Sequence, residues 1–440
     1  MAGLTRRGLL GLAAATATTG LSGCVQRGAD AASSSPVGLV AVGQTPAGTL
    51  VPILEGGPAV LVDRSRVVSD AGAGTHAVAA AVDAESRWLA QGLNPGTNGR
   101  FADMARCALL DLRVMLRPRG ALIDGLTADG GSVEPRVACL AAAALAACGH
   151  RADGIRVLRF LSRVQQSDGT FYERYPPDQR SPLGTPPALR VPRTANCGWA
   201  LWATEQSLTG LEWRILGREY PELRSMAVKS FTKILNSLDD EGLPSSSGRP
   251  VRPGLDRPGL VRPAELATAA AAAMGLGAAV QIMERAGGMV QTFVLADAVL
   301  RMHEAIERAF APVYPALRGG TRPSPAVTLL MPPFDSLEDE VRAAAADRAL
   351  AAVGLPMGVL MPGRGLVATA ELAAFALADV NGRDVTRGMR LLAWLDQHRT
   401  ASGSLPGAVR FDRTPTGRVP SIETSALVLL AFAKIIGYSA

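Results

Sequence analysis

The sequence predicts an all-α protein whose helical hairpins are arrayed around a ring, preceded by a short β-rich segment. Three observations carry this. Of the 440 residues, 48% are hydrophobic but only 5% aromatic, with alanine filling the apolar share, which suits closely packed helices and not a sandwich of β-branched and aromatic strands. From Thr75 onward the apolar residues recur with a helical period. Long loops between the helical segments begin repeatedly with one glycine phrase: Asp129-Gly-Gly, Asp168-Gly-Thr-Phe, Glu241-Gly-Leu-Pro and Ser402-Gly-Ser-Leu-Pro. A chain this long, with a mean hydropathy of +0.17, buries ample core, so disorder and a disulfide-stapled miniprotein are both excluded.

Residues 1–23 are an address and not fold. Arg6 and Arg7 stand directly before an apolar run that continues to Leu21, the pattern of a twin-arginine export signal. The run ends in Leu21-Ser-Gly-Cys24, which resembles a bacterial lipobox and predicts cleavage before Cys24, lipidation there, and anchoring to the outer face of the cell membrane. Residues 24–35 form a small-residue tether. Residues 36–70 follow as a β-rich segment in which Gly38-Leu-Val-Ala-Val, Thr49-Leu-Val-Pro-Ile-Leu and Ala59-Val-Leu-Val are short strands between glycine, proline and threonine punctuation. They are too few for a sandwich and are expected to lean on the main body as a β-ribbon.

Residues 71–440 carry twelve predicted helices: Thr75–Ala90, Phe101–Leu116, Pro135–Gly149, Ala152–Gln165, Asn196–Ser207, Tyr220–Leu238, Pro263–Arg285, Val290–Ala311, Ser336–Val353, Val367–Val380, Val385–His398 and Ile422–Ile436. Twelve helices make six hairpins. Tight turns such as Cys148-Gly-His-Arg alternate with long Pro/Gly/Arg loops at 166–193, 239–262, 312–335 and 401–421, which gives the body a structural face and a functional face. Leu266 to Met283 has no charge over eighteen residues, but its alanines and glycines barely favour lipid, and an inner helix of the ring is expected there.

Four cysteines remain beyond Cys24. Cys139 and Cys148 are about 13 Å apart along one helix and cannot pair with each other. Cross-pairing with Cys107 and Cys197 is geometrically allowed, but the small apolar neighbours of all four favour free buried thiols. His76, His150, His303 and His398 are single and far apart, so no metal and no cofactor is expected. The formal charge of +6 comes from scattered arginines and only three lysines, not the run of cations a nucleic-acid partner needs.

Within residues 118–205 the phrases Arg119-Gly-Ala-Leu-Ile, Val133-Glu-Pro-Arg-Val-Ala, Arg156-Val-Leu-Arg-Phe-Leu-Ser-Arg-Val-Gln, Asp168-Gly-Thr-Phe-Tyr-Glu-Arg-Tyr and Gly198-Trp-Ala-Leu-Trp-Ala resemble glycoside hydrolase family fifteen, the glucoamylase-like proteins. Weaker similarity continues through Leu329-Leu-Met-Pro-Pro-Phe and Ser404-Leu-Pro-Gly-Ala-Val. The resemblance implies an (α/α)6 toroid of two concentric helical rings, with the site where inner helices meet the long loops. It also implies inverting hydrolysis by a carboxylic acid and a carboxylate ~6.5–9.5 Å apart.

The family's catalytic pattern is altered. Where it reads Trp-Pro-Arg-Asp, this chain has Glu134, Pro135, Arg136 and Val137. The acid phrase falls on Gly242 to Ser245 and the base phrase on Gly403 to Gly407, which leaves Ser245 and Gly407 in the acid and base positions. Substitutes to test are Glu134 and Glu173. Among the other loop acids, Asp168 and Glu241 are expected as turn or helix-end residues, and Asp178 as a turn former. Asp256 is expected in a loop salt bridge, Asp412 at the surface, and Glu423 as a first-turn acid favoured by the helix dipole. Arg136 is the sharpest ligand candidate, either donating in a fork or neutralising Glu134. Tyr172, Glu173, Trp199 and Trp202 join it as possible sugar contacts, with inter-ring packing the competing role for the tryptophans and pairing with Arg174 for Glu173.

Three functions follow: an exported, tethered toroid without the standard acid and base that binds a cell-envelope glycan or glycolipid; a hydrolase or lyase using relocated carboxylates; or a scaffold for an envelope protein, which calls for a plugged or apolar mouth and an exposed apolar patch elsewhere.

Overall fold

The computed structural model describes residues 38–69, 74–95, 99–127, 130–186, 189–209, 218–245, 263–286, 289–335, 339–353, 366–410 and 412–437. The expected signal, tether, Cys24 and Asp256 lie outside them. Strands β1 (Leu39–Gln44) and β2 (Leu50–Leu54) pair antiparallel. Then come α1 (Thr75–Gln91), α2 (Ala102–Met115), α3 (Pro135–Ala147), α4 (Arg151–Val164), α5 (Ala195–Leu208), α6 (Pro221–Leu235), α7 (Leu266–Arg285) and α8 (Met289–Phe310). A 3₁₀ segment (Pro325–Leu330) precedes α9 (Glu340–Val353), β3 (Leu366–Ala368), α10 (Thr369–Ala378), α11 (Val385–Gln397), β4 (Ala408–Arg410), β5 (Pro415–Thr416) and α12 (Ile422–Gly437).

The inner ring closes in the order α3, α5, α7, the 3₁₀ segment, α10, α12 and back to α3. Helices α2, α4, α6, α8, α9 and α11 lie outside it, completing an (α/α)6 arrangement. This corrects the sequence count: the first predicted helix, α1, stands outside the twelve, and its place is taken by Pro325–Leu330 in what was expected to be loop. Six residues opening on proline show no helical period, so the element has no signature of its own. The β-rich segment does lean on the body. Arg66 is buried there, with Nε 2.6 Å from Asp111 on α2 and Nη2 donating to Ser404 at 3.1 Å, while its backbone N–H donates to Glu85 on α1. Three short strands the sequence did not announce, β3, β4 and β5, form one sheet, and β3 takes the first residues of the predicted helix Val367–Val380.

Inner helices are apolar all round because both faces are covered. Helix α7 has the length and apolarity of a membrane span, yet 78% of that stretch is buried within the ring, so it is core. Gly198 on α5 and Gly275 on α7 let these backbones touch: a Cβ on Gly275 would lie 2.3 Å from the Gly198 Cα. Outer helices such as α4 and α11 bury one stripe only. Cys107, Cys139, Cys148 and Cys197 are free and buried.

Candidate functional site

Every inner helix runs the same way, so their N-termini gather at one end of the ring. That end opens into a pocket of about 1050 Å³, counting its mouth. Its carboxylates come from the starts of inner helices: Glu134 and Glu265 immediately precede α3 and α7, and Glu371 and Glu423 lie in the first turns of α10 and α12. Glu173 joins them from the loop ahead of α5. The positive end of each helix favours acids at these positions. Arg136 and Arg193 are the lining cations among the described residues, and Trp199 and Phe334 supply aromatic wall, their ring centroids 5.6 Å apart and edge to face.

Glu423, Glu134 and Glu173 are each held by an arginine. Arg136 donates through both terminal nitrogens to Glu423, at 2.5 and 2.7 Å. Its fork thus goes to Glu423; Glu134, two residues back on the helix start, feels Arg136 as a nearby charge that helps lower its carboxyl. Glu134 instead accepts from Arg418 at 2.8 Å and is paired with Arg174 at 3.1 Å. Burial pushes its carboxyl up, but Arg418 and Arg174 outweigh that and hold it below the usual value. Asp124, on the other side of Arg418, is pushed up by burial. Glu173 accepts from Arg193 Nη2 at 3.0 Å, not from Arg174 beside it, since neighbours in extended chain point to opposite faces.

On the far side of the pocket the wall is different. Glu265 accepts from the Thr268 hydroxyl at 3.1 Å. Going round the ring, Glu265, Ala267, Thr268, Thr328, Leu329, Phe334, Ala370, Glu371 and Ala374 form a half that contains no cation among the described residues.

Of the sequence candidates, Arg136, Glu134, Glu173 and Trp199 thus line one pocket. Tyr172 and Trp202 do not. The Tyr172 backbone N–H donates to the Tyr175 hydroxyl, and Trp202 is buried with its edge against Trp199, the packing role. Ser245 and Gly407 do not line it either. The Ser245 carbonyl accepts from Thr194 at 2.6 Å. Gly407 is laced by its backbone to Arg418 and Thr369, where a Cβ would press within 3.1 Å of the Arg418 nitrogen. Their loops still deliver carboxylates, at the helix ends: Glu265 closes the loop that carries Ser245, and Glu423 follows the one that carries Gly407. Asp168 pairs with Lys233 and Glu241 with Arg318, both at exposed turns, and Asp412 caps a turn at Thr414. Glu265, Glu371, Asn196, Arg193 and Phe334 were missed as site residues. The available signal was an acid at the start of each charge-free helix, and it was ambiguous because the helix dipole wants one there anyway.

No family model and no curated protein sequence matches the chain. Solved structures do. A glycosidase variant in complex with glucose aligns at a TM-score of 0.60 and 16% identity, covering 80% of this chain and 98% of that one. A bacterial glucoamylase complexed with acarbose aligns at 0.62 and 13%, covering 83% of this chain and 60% of the longer enzyme. Cellobiose 2-epimerase from Bacillus thermoamylovorans B4167 aligns at 0.54 and 11%, covering 80% and 99%. Identities this low speak for fold alone, and the fold these structures share with this chain is an (α/α)6 toroid.

Proposed function

We propose that this chain is a glucoamylase-like carbohydrate-binding protein of the cell envelope, exported by its twin-arginine signal, tethered through Cys24, and taking a sugar of a glycan or glycolipid in the pocket at the inner-helix N-termini. The observation that carries this is the make-up of that pocket. Fixed carboxylates and guanidinium forks match the hydroxyls of a sugar, and an aromatic wall from Trp199 and Phe334 matches its apolar face. Similarity to structures that hold glucose and acarbose agrees with it. The pocket is open and not plugged, against the scaffold reading, while exposed Met289, Val290 and Phe293 at the start of α8 supply the outer apolar patch that reading calls for.

A second reading, glycoside hydrolysis, is favoured by one observation: the loops expected to carry acid and base each end in a glutamate that lines the pocket. Helices α7 and α12 stand opposite each other in the inner ring, so Glu265 and Glu423 face across it. In that reading Glu265 gives its proton to the departing glycosidic oxygen, and Glu423, gripped by Arg136, takes a proton from the attacking water. A glycan array combined with a reducing-end assay separates the two. Binding without turnover supports the first; turnover lost in both Glu265→Gln and Glu423→Gln supports the second. Failure to bind any oligosaccharide overturns both.

A further inference from the structure

One charged pair behind the pocket holds a segment of its wall at both ends. Thr328, Leu329 and Phe334 line the pocket from the 3₁₀ segment and the turn that follows it. That turn has little backbone with which to fix itself. Pro332 and Pro333 offer no N–H, and the Phe334 and Asp335 amides both return to the Met331 carbonyl, at 2.9 and 3.0 Å. Its hold comes from the outer helices. Arg342 on α9, almost fully buried, donates through Nη1 to the Leu330 carbonyl at 3.4 Å and lies 3.5 Å from the Asp335 carboxylate, so it bridges the residues on either side of the turn. Arg342 is itself locked by Glu307 on α8, whose Oε1 accepts from Nε at 2.9 Å and from Nη2 at 2.8 Å. His303, one turn earlier on α8, stands 3.5 Å from the same Asp335.

Glu307 also reaches the opposite end of the segment. The Tyr314 hydroxyl donates to its Oε2, and the Tyr314 carbonyl accepts from the Ser324 amide at 2.9 Å. Ser324 is the N-cap of the segment, its hydroxyl accepting from the Ala326 N–H at 3.2 Å. The beginning and the end of the segment therefore converge on one carboxylate. A short 3₁₀ turn is weakly bonded within itself, so these outside ties decide where it sits. Phe334, packed on Trp199 and Trp202 at ring-centroid distances of 5.6 and 5.2 Å, goes where the segment goes.

Resting on the reading of the pocket as a carbohydrate site, we infer that Glu307 and Arg342, neither of which lines the pocket, are its positioning residues: together they set the 3₁₀ segment, and with it Phe334, as the face on which a sugar packs.

Hydrogen exchange of the full chain, followed by mass spectrometry, and calorimetric titration with acarbose test this. In Arg342→Gln and, independently, in the milder Glu307→Gln, exchange across residues 325–335 is expected to rise about tenfold or more, while peptides from α3, α5 and α7 keep their protection. Acarbose affinity is expected to fall about tenfold in both. Arg342→Lys restores little, since an ammonium cannot meet Glu307, Leu330 and Asp335 at once. Because the loss runs through Phe334, Arg342→Gln costs nothing further in a Phe334→Ala background. Fully additive losses, unchanged affinity in the folded variants, or an exchange increase spread evenly over the ring would mean that the pair only stabilises the fold, and each overturns the inference. If the unsubstituted protein binds no acarbose, that counts against the carbohydrate reading, and the exchange result alone then decides whether the pair positions the wall.

Discussion

The two terminal nitrogens of Arg136 meet the two carboxylate oxygens of Glu423, at 2.5 and 2.7 Å, across the seam where the first and last inner helices close the ring. The pair is only partly exposed and lies on the pocket wall. It therefore joins two functions in one fork: it holds α3 to α12, and it presents polar groups of fixed direction to whatever enters. Hydrogen bonds to charged groups contribute ~1.5–3 kcal/mol each way they are measured. Arg136→Ala is expected to weaken oligosaccharide binding roughly 10- to 100-fold while the far-ultraviolet circular dichroism stays helical. Arg136→Lys recovers only part of it, because an ammonium cannot span both oxygens. Full affinity in the alanine variant contradicts the assignment of Arg136 to the ligand wall.

Helices α5 and α7 touch through backbone. A Cβ on Gly198 would sit 1.9 Å from the Ala271 carbonyl oxygen, and nothing flexible is available to move aside. Overpacking ordinarily costs ~1–3 kcal/mol and more where backbone must shift, so Gly198→Ala is expected at about 3 kcal/mol or above. The readout is the urea midpoint, with the slope unchanged. Because Trp199 is the next residue, the same displacement moves the pocket's aromatic wall, and sugar affinity should drop even at temperatures where the variant is folded.

Glu134 gives the protein an acid-side stability limit. Burial raises its carboxyl, but Arg418 and Arg174 more than reverse this and keep it below the ordinary 4.5. A carboxyl lowered in the folded state stabilises fully above its unfolded value, and that contribution disappears as pH falls through the folded one. Asp124 shares Arg418 and is shifted upward, so the two take up protons as a unit. Removing one partner of a buried pair costs about 3 kcal/mol. Glu134→Gln should therefore be destabilised by that amount at neutral pH, with the gap to wild type closing below the ordinary value. Denaturant midpoints across the acid range check it; a gap that stays constant with pH would remove the electrostatic account.

These examples show which parts of the molecule sequence can announce. The Ala/Gly run of α7 was legible as an inner helix because a charge-free stretch bracketed by Glu265 and Glu284 fits a helix covered on all sides. The 3₁₀ segment was illegible because the six residues from Pro325 to Leu330 carry no period. At the site, Arg136, Glu134, Glu173 and Trp199 were visible through phrases, but their pairing was not. Arg136 reaches a residue 287 positions away in preference to the one two positions back. Convergence of Glu265, Glu371 and Glu423 is likewise a property of ring closure. Each acid taken singly is explained by its own helix, and only the tertiary arrangement makes them one wall.

The four body cysteines give a test of packing that needs no ligand. Each is buried, and burial raises every thiol; Cys148 and Cys197 are pushed up to about 12. Reaction with a disulfide reagent requires thiolate and access together. At neutral pH neither is present here, so Cys107, Cys139, Cys148 and Cys197 are expected to resist modification in the folded protein and to react in denaturant. Cys107 is the informative one, because it lies on α2 under Gly403, in the loop that Arg66 ties to the β-ribbon through Ser404. Arg66→Ala loses the bonds to Asp111 and Ser404 and leaves a buried carboxylate uncompensated. That variant should expose Cys107 to reagent well before the other three, as followed by mass mapping of the labelled peptides. Simultaneous labelling of all four would mean that the β-ribbon and the ring unfold as one unit, with no local opening at the Arg66 contact.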